Sequence, residues 1–109
     1  MGTKTSLTII KPFVRAVKRK FAHAQVILYG SRARGTARKD SDYDVIVISP
    51  AFKNMDFLDR GAKLYYMKRN IHAAMDIVGY TPEEWKNKLK GINFTQDIIR
   101  EGKDITELV

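Results

Sequence analysis

The chain contains no cysteine, which excludes disulfides and zinc–thiolate sites. It has no long hydrophobic run. Its purely apolar stretches last only a few residues, too short to cross a bilayer. No basic segment followed by a long apolar one opens the sequence, so no secretory signal is visible. Internal repeats, low-complexity tracts and linker-like stretches are absent as well. Its two histidines, His23 and His72, are far apart and lack metal-ligand spacing, so neither is a catalytic candidate. Acidic residues are few beside the basic ones, 12 against 20, for a formal net charge of +8. With 109 residues, 44% of them hydrophobic, the expectation is one compact domain over residues 1–109 with a real core, located in the cytoplasm and without a membrane segment.

The positive balance suits an anionic partner, but position matters more than total. The stretch VRAVKRK (14–20) reads as the solvated side of a helix. The stretch SRARGTARK (31–39) crowds Arg32, Arg34 and Arg38 into a loop or short helix, which a solvated helix face does not explain.

Periodicity supplies the elements. Phe13, Val17 and Phe21 recur at four-residue spacing, predicting a helix over 11–21 with Pro12 in its first turn. QVILY (25–29) predicts a short strand ending at Gly30, and YDVIVIS (43–49) a second one stopped by Pro50. Met55, Leu58, Ala62 and Tyr65 recur at helical spacing over 55–69, so Tyr65 and Tyr66 read as core, with an edge at a partner surface. HAAMDIVGY (72–80) predicts a third strand. Thr81, Pro82 and Glu84 spell a capping box, with Tyr80 and Trp85 at the staple positions and Gly91 as a stop. FTQDIIREG (94–102) reads as a further short helix, and DITEL (104–108) as a closing edge strand.

The fold class is therefore α/β, a mixed sheet of three to four strands flanked by helices. The first two strands must run antiparallel if Gly30 and Ser31 are to meet Asp42 and Asp44. The helix between the second and third strands suits a right-handed crossover and a parallel pair.

Asp is a poor strand former, yet Asp42 and Asp44 sit at the head of the second strand. Two residues apart, they point to one face, where their carboxylates repel. A divalent cation removes the objection, and an all-oxygen donor set selects a hard ion, Mg²⁺ or Mn²⁺. Asp76 is the third candidate ligand, alone among apolar neighbours in a strand that reads as buried. Gly30 lets a phosphate approach the backbone, and Ser31 adds a hydroxyl. Arg32 and Arg34, with Arg38, lie within local reach of phosphate oxygens. Asp42, Asp44 and Asp76 are thus the predicted catalytic and metal-binding residues; Gly30, Ser31, Arg32 and Arg34 are the predicted nucleotide-binding ones.

Gly30-Ser31, ten intervening residues and Asp42-Tyr43-Asp44 resemble the signature of the polymerase-β-type nucleotidyltransferase superfamily. The segment GSRARG (30–35) and the short length are similar to its minimal nucleotidyltransferase (MNT) branch, over about residues 10–90. The resemblance implies transfer of a nucleoside monophosphate, AMP from ATP, to a hydroxyl. It also implies an antitoxin role beside a helical HEPN-type partner protein, whose tyrosine is adenylylated in some such pairs. Larger relatives carry a second domain for base and acceptor that this length does not supply. The expectation is a homo- or hetero-oligomer in which a partner subunit completes recognition. The competing readings are a non-catalytic nucleotide-binding antitoxin that acts by contact, and a nucleic-acid binder using the basic surface. The latter ranks last because no interleaved exposed aromatics are evident.

Overall fold

The computed structural model describes residues 3–38, 41–90 and 101–109. Helix α1 (Thr3–Lys20) starts well before the predicted residue 11, so Pro12 lies inside it rather than in its first turn. An interior proline costs about 3 kcal/mol. Ile10, Phe13, Val14 and Val17 bracket it and are fully buried. Each contributes about 1.5–3 kcal/mol, which outweighs the proline. Lys18, Arg19 and Lys20 close the helix, where cations suit its dipole.

Strand β1 (Gln25–Tyr29) leads through the single-turn helix α2 (Ser31–Arg34) and a loop into strand β2 (Tyr43–Ile48). The two strands pair antiparallel, Gln25 opposite Ile48 and Tyr29 opposite Asp44. Helix α3 (Phe57–Met67) then carries the chain over to strand β3 (Met75–Tyr80), which runs parallel to β2. The chain continues through helix α4 (Pro82–Leu89), and strand β4 (Lys103–Asp104) adds antiparallel to β1. The order β3-β2-β1-β4 is the expected mixed sheet with four strands. Val26, Leu28, Tyr43, Val45, Val47, Met75 and Ile77 alternate onto one face and form the core with α1 and α3. On the other face Ile46 and Ile48 are buried beneath Ile27, Tyr29, Tyr80 and Trp85. No helix among the described residues is long and apolar enough to cross a membrane.

Three expectations need correction. First, α3 is helical as predicted but uses a different face. Leu58 is 87% exposed, and Tyr65 and Tyr66 are outside the core. The inward positions are Arg60 and Leu64, so a charged residue conceals the true stripe. Arg60 can lie there because its donors are satisfied. Nε donates to Met55 O (2.8 Å) and Nη1 to Gly79 O (3.2 Å). The two Nη atoms also reach the Glu84 carboxylate at 2.6 and 3.3 Å. Its guanidinium also lies 4.8 Å from the Phe57 ring centroid. Second, the third strand begins at Met75 rather than 72 and is an edge strand, not a buried one. Tyr65 Oη accepts a hydrogen bond from Ile77 N on it (3.1 Å). Third, the closing strand lasts two residues, and Thr106–Leu108 form a 3-10 turn. Thr106 Oγ1 accepts from Val26 N (2.9 Å) and its neighbour Ile105 N donates to Val26 O (2.8 Å), so the tail is stitched to β1.

The capping box at α4 is present as read. Thr81 Oγ1 accepts from Glu84 N (3.1 Å), and Glu84 accepts from Thr81 N (2.7 Å). Tyr80 and Trp85 meet with ring centroids 5.9 Å apart, as a staple requires. The Gly91 stop and the helix read over 94–102 lie outside the described residues, save for positions 101 and 102.

Candidate functional site

The sheet puts three strand ends together. Asp44 pairs with Tyr29 on one side and Asp76 on the other, so Tyr29, Asp44 and Asp76 form a row on one face. Asp42 precedes β2 by one residue and is near enough to raise the Asp44 pKa by its charge. Tyr43, Val45, Met75 and Ile77 occupy the opposite, buried face, which fixes the alternation. A one-residue slip would drive the aspartates into the core. Asp76 thus shares a face with Asp44 as predicted, but it is exposed rather than buried among apolar neighbours.

Gly30 closes the site from β1. Its φ of 76° and ψ of −156° belong to backbone that only glycine adopts readily. A Cβ there would also collide with Asp44 Oδ2. Both constraints bring the main chain against the carboxylate. The Gly30 carbonyl accepts from Ala33 N and Arg34 N (3.1 Å each), winding Ser31–Arg34 into one helical turn. Gly35, also at positive φ, ends it.

The two candidate arginines differ. Arg32 is buried. Its Nε and Nη2 both donate to the Ser41 carbonyl (3.2 and 2.8 Å), and its guanidinium carbon lies 4.4 Å over the Tyr43 ring. It ties the Gly-Ser turn to the residue preceding Asp42. Arg34 lies on the surface, 3.1 Å from Glu101 Oε2, and its charge opposes the rise in the Asp44 pKa. Of the two, Arg34 is the one whose charge acts on Asp44. Arg38 N donates to Ser41 Oγ (2.8 Å), holding the turn before Asp42. Asp40, which shares parity with Asp42, lies outside the described residues.

The row has the electrostatics of a crowded anionic site. Burial, then Asp76, then Asp42 push the Asp44 carboxyl above the ordinary carboxylate range. Burial pushes the Tyr29 phenol up to about 12, with Asp44 and Asp76 adding to the rise. Tyr29 therefore stays protonated at neutral pH, an O–H donor beside two carboxylates. Sequence reasoning missed it. Its only signal is its place directly before Gly30, which becomes legible once β1 and β2 are in register.

Among the described residues no three His, Cys, Asp or Glu side chains come close enough to hold a metal ion between them. The donor set nonetheless fits Mg²⁺ or Mn²⁺. Asp44 and Asp76 are a same-face pair with oxygen-only ligands, and the Asp76 charge raises the Asp44 pKa. Mg²⁺ is usually held by one or two carboxylates plus substrate phosphates.

Comparison with known proteins agrees with this architecture. The family model for the nucleotidyltransferase domain matches residues 10–103. A proposed nucleotidyltransferase from Sulfolobus solfataricus aligns with a TM-score of 0.65 and 25% identity, over 94% of this chain and 81% of that one. A proposed minimal nucleotidyltransferase shares the fold at TM-score 0.59 and 23% identity, over 94% and 95% of the two chains. A toxin–antitoxin structure with AMP-PNP does so at 0.56 and 20%, over 91% and 71%. No curated protein matches.

Proposed function

The chain belongs to the nucleotidyltransferase domain family, and from that premise we propose that it transfers AMP from ATP to a hydroxyl on a helical, HEPN-type partner protein and so acts as an antitoxin. The observation that carries the catalytic part is the pairing of Asp44 with Asp76 beside the Gly30 turn. The partner part takes its direction from the minimal nucleotidyltransferase resemblance and from the toxin–antitoxin relative of the same fold.

In this reading the acceptor oxygen attacks the α-phosphorus, the bond to the β-phosphate oxygen breaks, and pyrophosphate leaves. Asp44 and Asp76 would hold Mg²⁺ (or Mn²⁺) together with the substrate phosphates, and Asp42 would add its negative charge from the entrance of β2. When bound, the ion activates the hydroxyl and steadies the leaving group. The protein's own groups do the rest. Gly30, lacking a side chain, lets the triphosphate lie against the backbone, with the Ser31 hydroxyl beside it. Arg34 supplies positive charge to the phosphates. Tyr29, kept protonated, offers a hydrogen-bond donor next to the carboxylates. Arg32 acts at one remove, by locking the approach to Asp42.

The test mixes the protein with its helical partner, ATP and Mg²⁺. The partner should gain the mass of one or more AMP groups, and the Asp42→Asn, Asp44→Asn double variant should still form the complex but add none. If the double variant neutralises the partner equally well and no mass is gained in either case, the protein acts by contact instead.

A further inference from the structure

A second site lies on the helical layer, on the side of the sheet opposite Asp44. A cavity of about 470 Å³ opens there between the C-terminal end of α1 and the last two turns of α3. Lys20, Lys63 and Arg69 line it with Tyr66, Met67 and Ala62. The Arg69 guanidinium stacks on Tyr66, 3.9 Å from its ring centroid, and Arg69 Nη1 donates to Tyr66 O (2.9 Å). Tyr66 is nevertheless 63% exposed, so much of its ring stays open. Among the described residues no carboxylate lines the cavity or pairs with these three cations.

Neutralising helix dipoles does not account for the charge. Two helix C-terminal ends carry about −0.5 each, which about one cation offsets. The cavity gathers three, and Arg19 and Lys68 stand adjacent in sequence. The excess is about two positive charges around an apolar floor and an aromatic ring. An anion with a flat apolar part satisfies all three features. Cations take the phosphate, the ring takes the base, and Met67 and Ala62 take the remaining apolar surface.

We infer that this cavity binds a phosphorylated nucleoside unit, with its phosphate against Lys20, Lys63 and Arg69 and its base on Tyr66, at a site separate from the carboxylate row. Such a unit can be a free nucleotide or part of a single strand. The sequence gives little sign of it, because the cations are spread over residues 20–69 and Tyr66 reads as core.

The test measures anisotropy of a fluorescent AMP analogue and of a labelled twelve-nucleotide uridylate strand, in EDTA so that metal-dependent binding is silent. At 0.15 M salt the K20Q/K63Q variant should bind at least about tenfold more weakly, since two charge-assisted phosphate contacts are lost. The K11Q/K86Q variant, with the same charge change outside the cavity, should lose less than about threefold. Tyr66→Ala should cost about fivefold or more and Tyr66→Phe should restore binding, as stacking requires. Saturable binding of the mononucleotide identifies a free ligand, and binding of the strand alone identifies a polymer; either supports the site. Equal losses in the two lysine variants, indifference to Tyr66→Ala, or no saturable binding of either probe would overturn it.

Discussion

Replacing Asp44 with Asn should stabilise the metal-free protein. Asp44 and Asp76 are paired in parallel register on one face, and neighbouring strands lie about 4.8 Å apart. Taking the carboxylates at about 5 Å, their repulsion is about 0.8 kcal/mol in a water-like dielectric and about 3 kcal/mol at an effective value of 20. Asp76 is exposed and Asp44 half-buried, so the lower end applies, about 1 kcal/mol. Relief of burial at Asp44 acts in the same direction. For a domain of this size, that gain raises Tm by about 4–8 °C at pH 7.

The pH dependence has a definite sign. The native carboxyl titrates above its ordinary value, so protonation favours the folded state. That contribution is fully present below the unfolded value of about 3.9 and is lost as pH rises through the native one. Asn mimics the neutral form, so its advantage is largest at neutral pH and vanishes in acid. Magnesium with a non-hydrolysable ATP analogue should reverse the ranking, because ligand at 100 times its Kd adds about 2.7 kcal/mol to the wild type alone. Circular-dichroism melts at pH 7 and pH 3, with and without that ligand, test all of this. An Asn variant that melts at or below wild type at pH 7 without metal, or keeps its gain at pH 3, refutes the argument.

Three further outcomes are expected. Gly30→Ala should lose about 1–3 kcal/mol from its positive φ alone, and more from the clash with Asp44 Oδ2, with nucleotide affinity falling in parallel; urea unfolding and calorimetry read the two effects. Arg60→Ala should cost about 2–4 kcal/mol, since it strips buried carbonyls and the Glu84 carboxylate of their donor. Glu84→Gln should cost only about 1–2 kcal/mol, because a glutamine still accepts from Thr81 N. Denaturant midpoints that rank these two in the opposite order would count against the assigned network.

The site was more legible in the sequence than the helical layer. Gly30, Asp42 and Asp44 are residues whose local chemistry is unfavourable in an ordinary strand start, and that conflict marks them. The reason that singles out Asp76 in the sequence is less sound. Asp76 reads as buried there, whereas an alternating edge strand leaves it exposed beside Asp44. Arg34 and Arg32 look alike in the sequence, and only tertiary contact separates the exposed cation from the one held by Ser41 and Tyr43. The face of α3 was misread because Arg60 is inward and Leu58 outward. Hydrophobic periodicity has no way to anticipate a buried guanidinium whose acceptors come from Met55, Gly79 and Glu84. Tyr29 was passed over because an aromatic in a strand needs no explanation until its cross-strand neighbour is known.

The mixed sheet also sets the order in which this site can come into being. The β1–β2 pair is joined by a short connection and closes cheaply, bringing Gly30 to Asp44 early. Asp76 arrives only after α3 has carried the chain across to β3, and loop closure of that kind slows the search. The stitch of the tail to β1 joins more distant groups still, since Val26 N and Thr106 Oγ1 are 80 residues apart along the chain. A partly folded molecule thus holds one half of the carboxylate row without the other. It has a lone half-formed anionic turn, with neither the repulsion that penalises the finished pair nor the affinity that a cation would draw from it. On the proposed reading, cation binding would be a property of the completed sheet, and a dication would hold the native state together rather than guide the path to it.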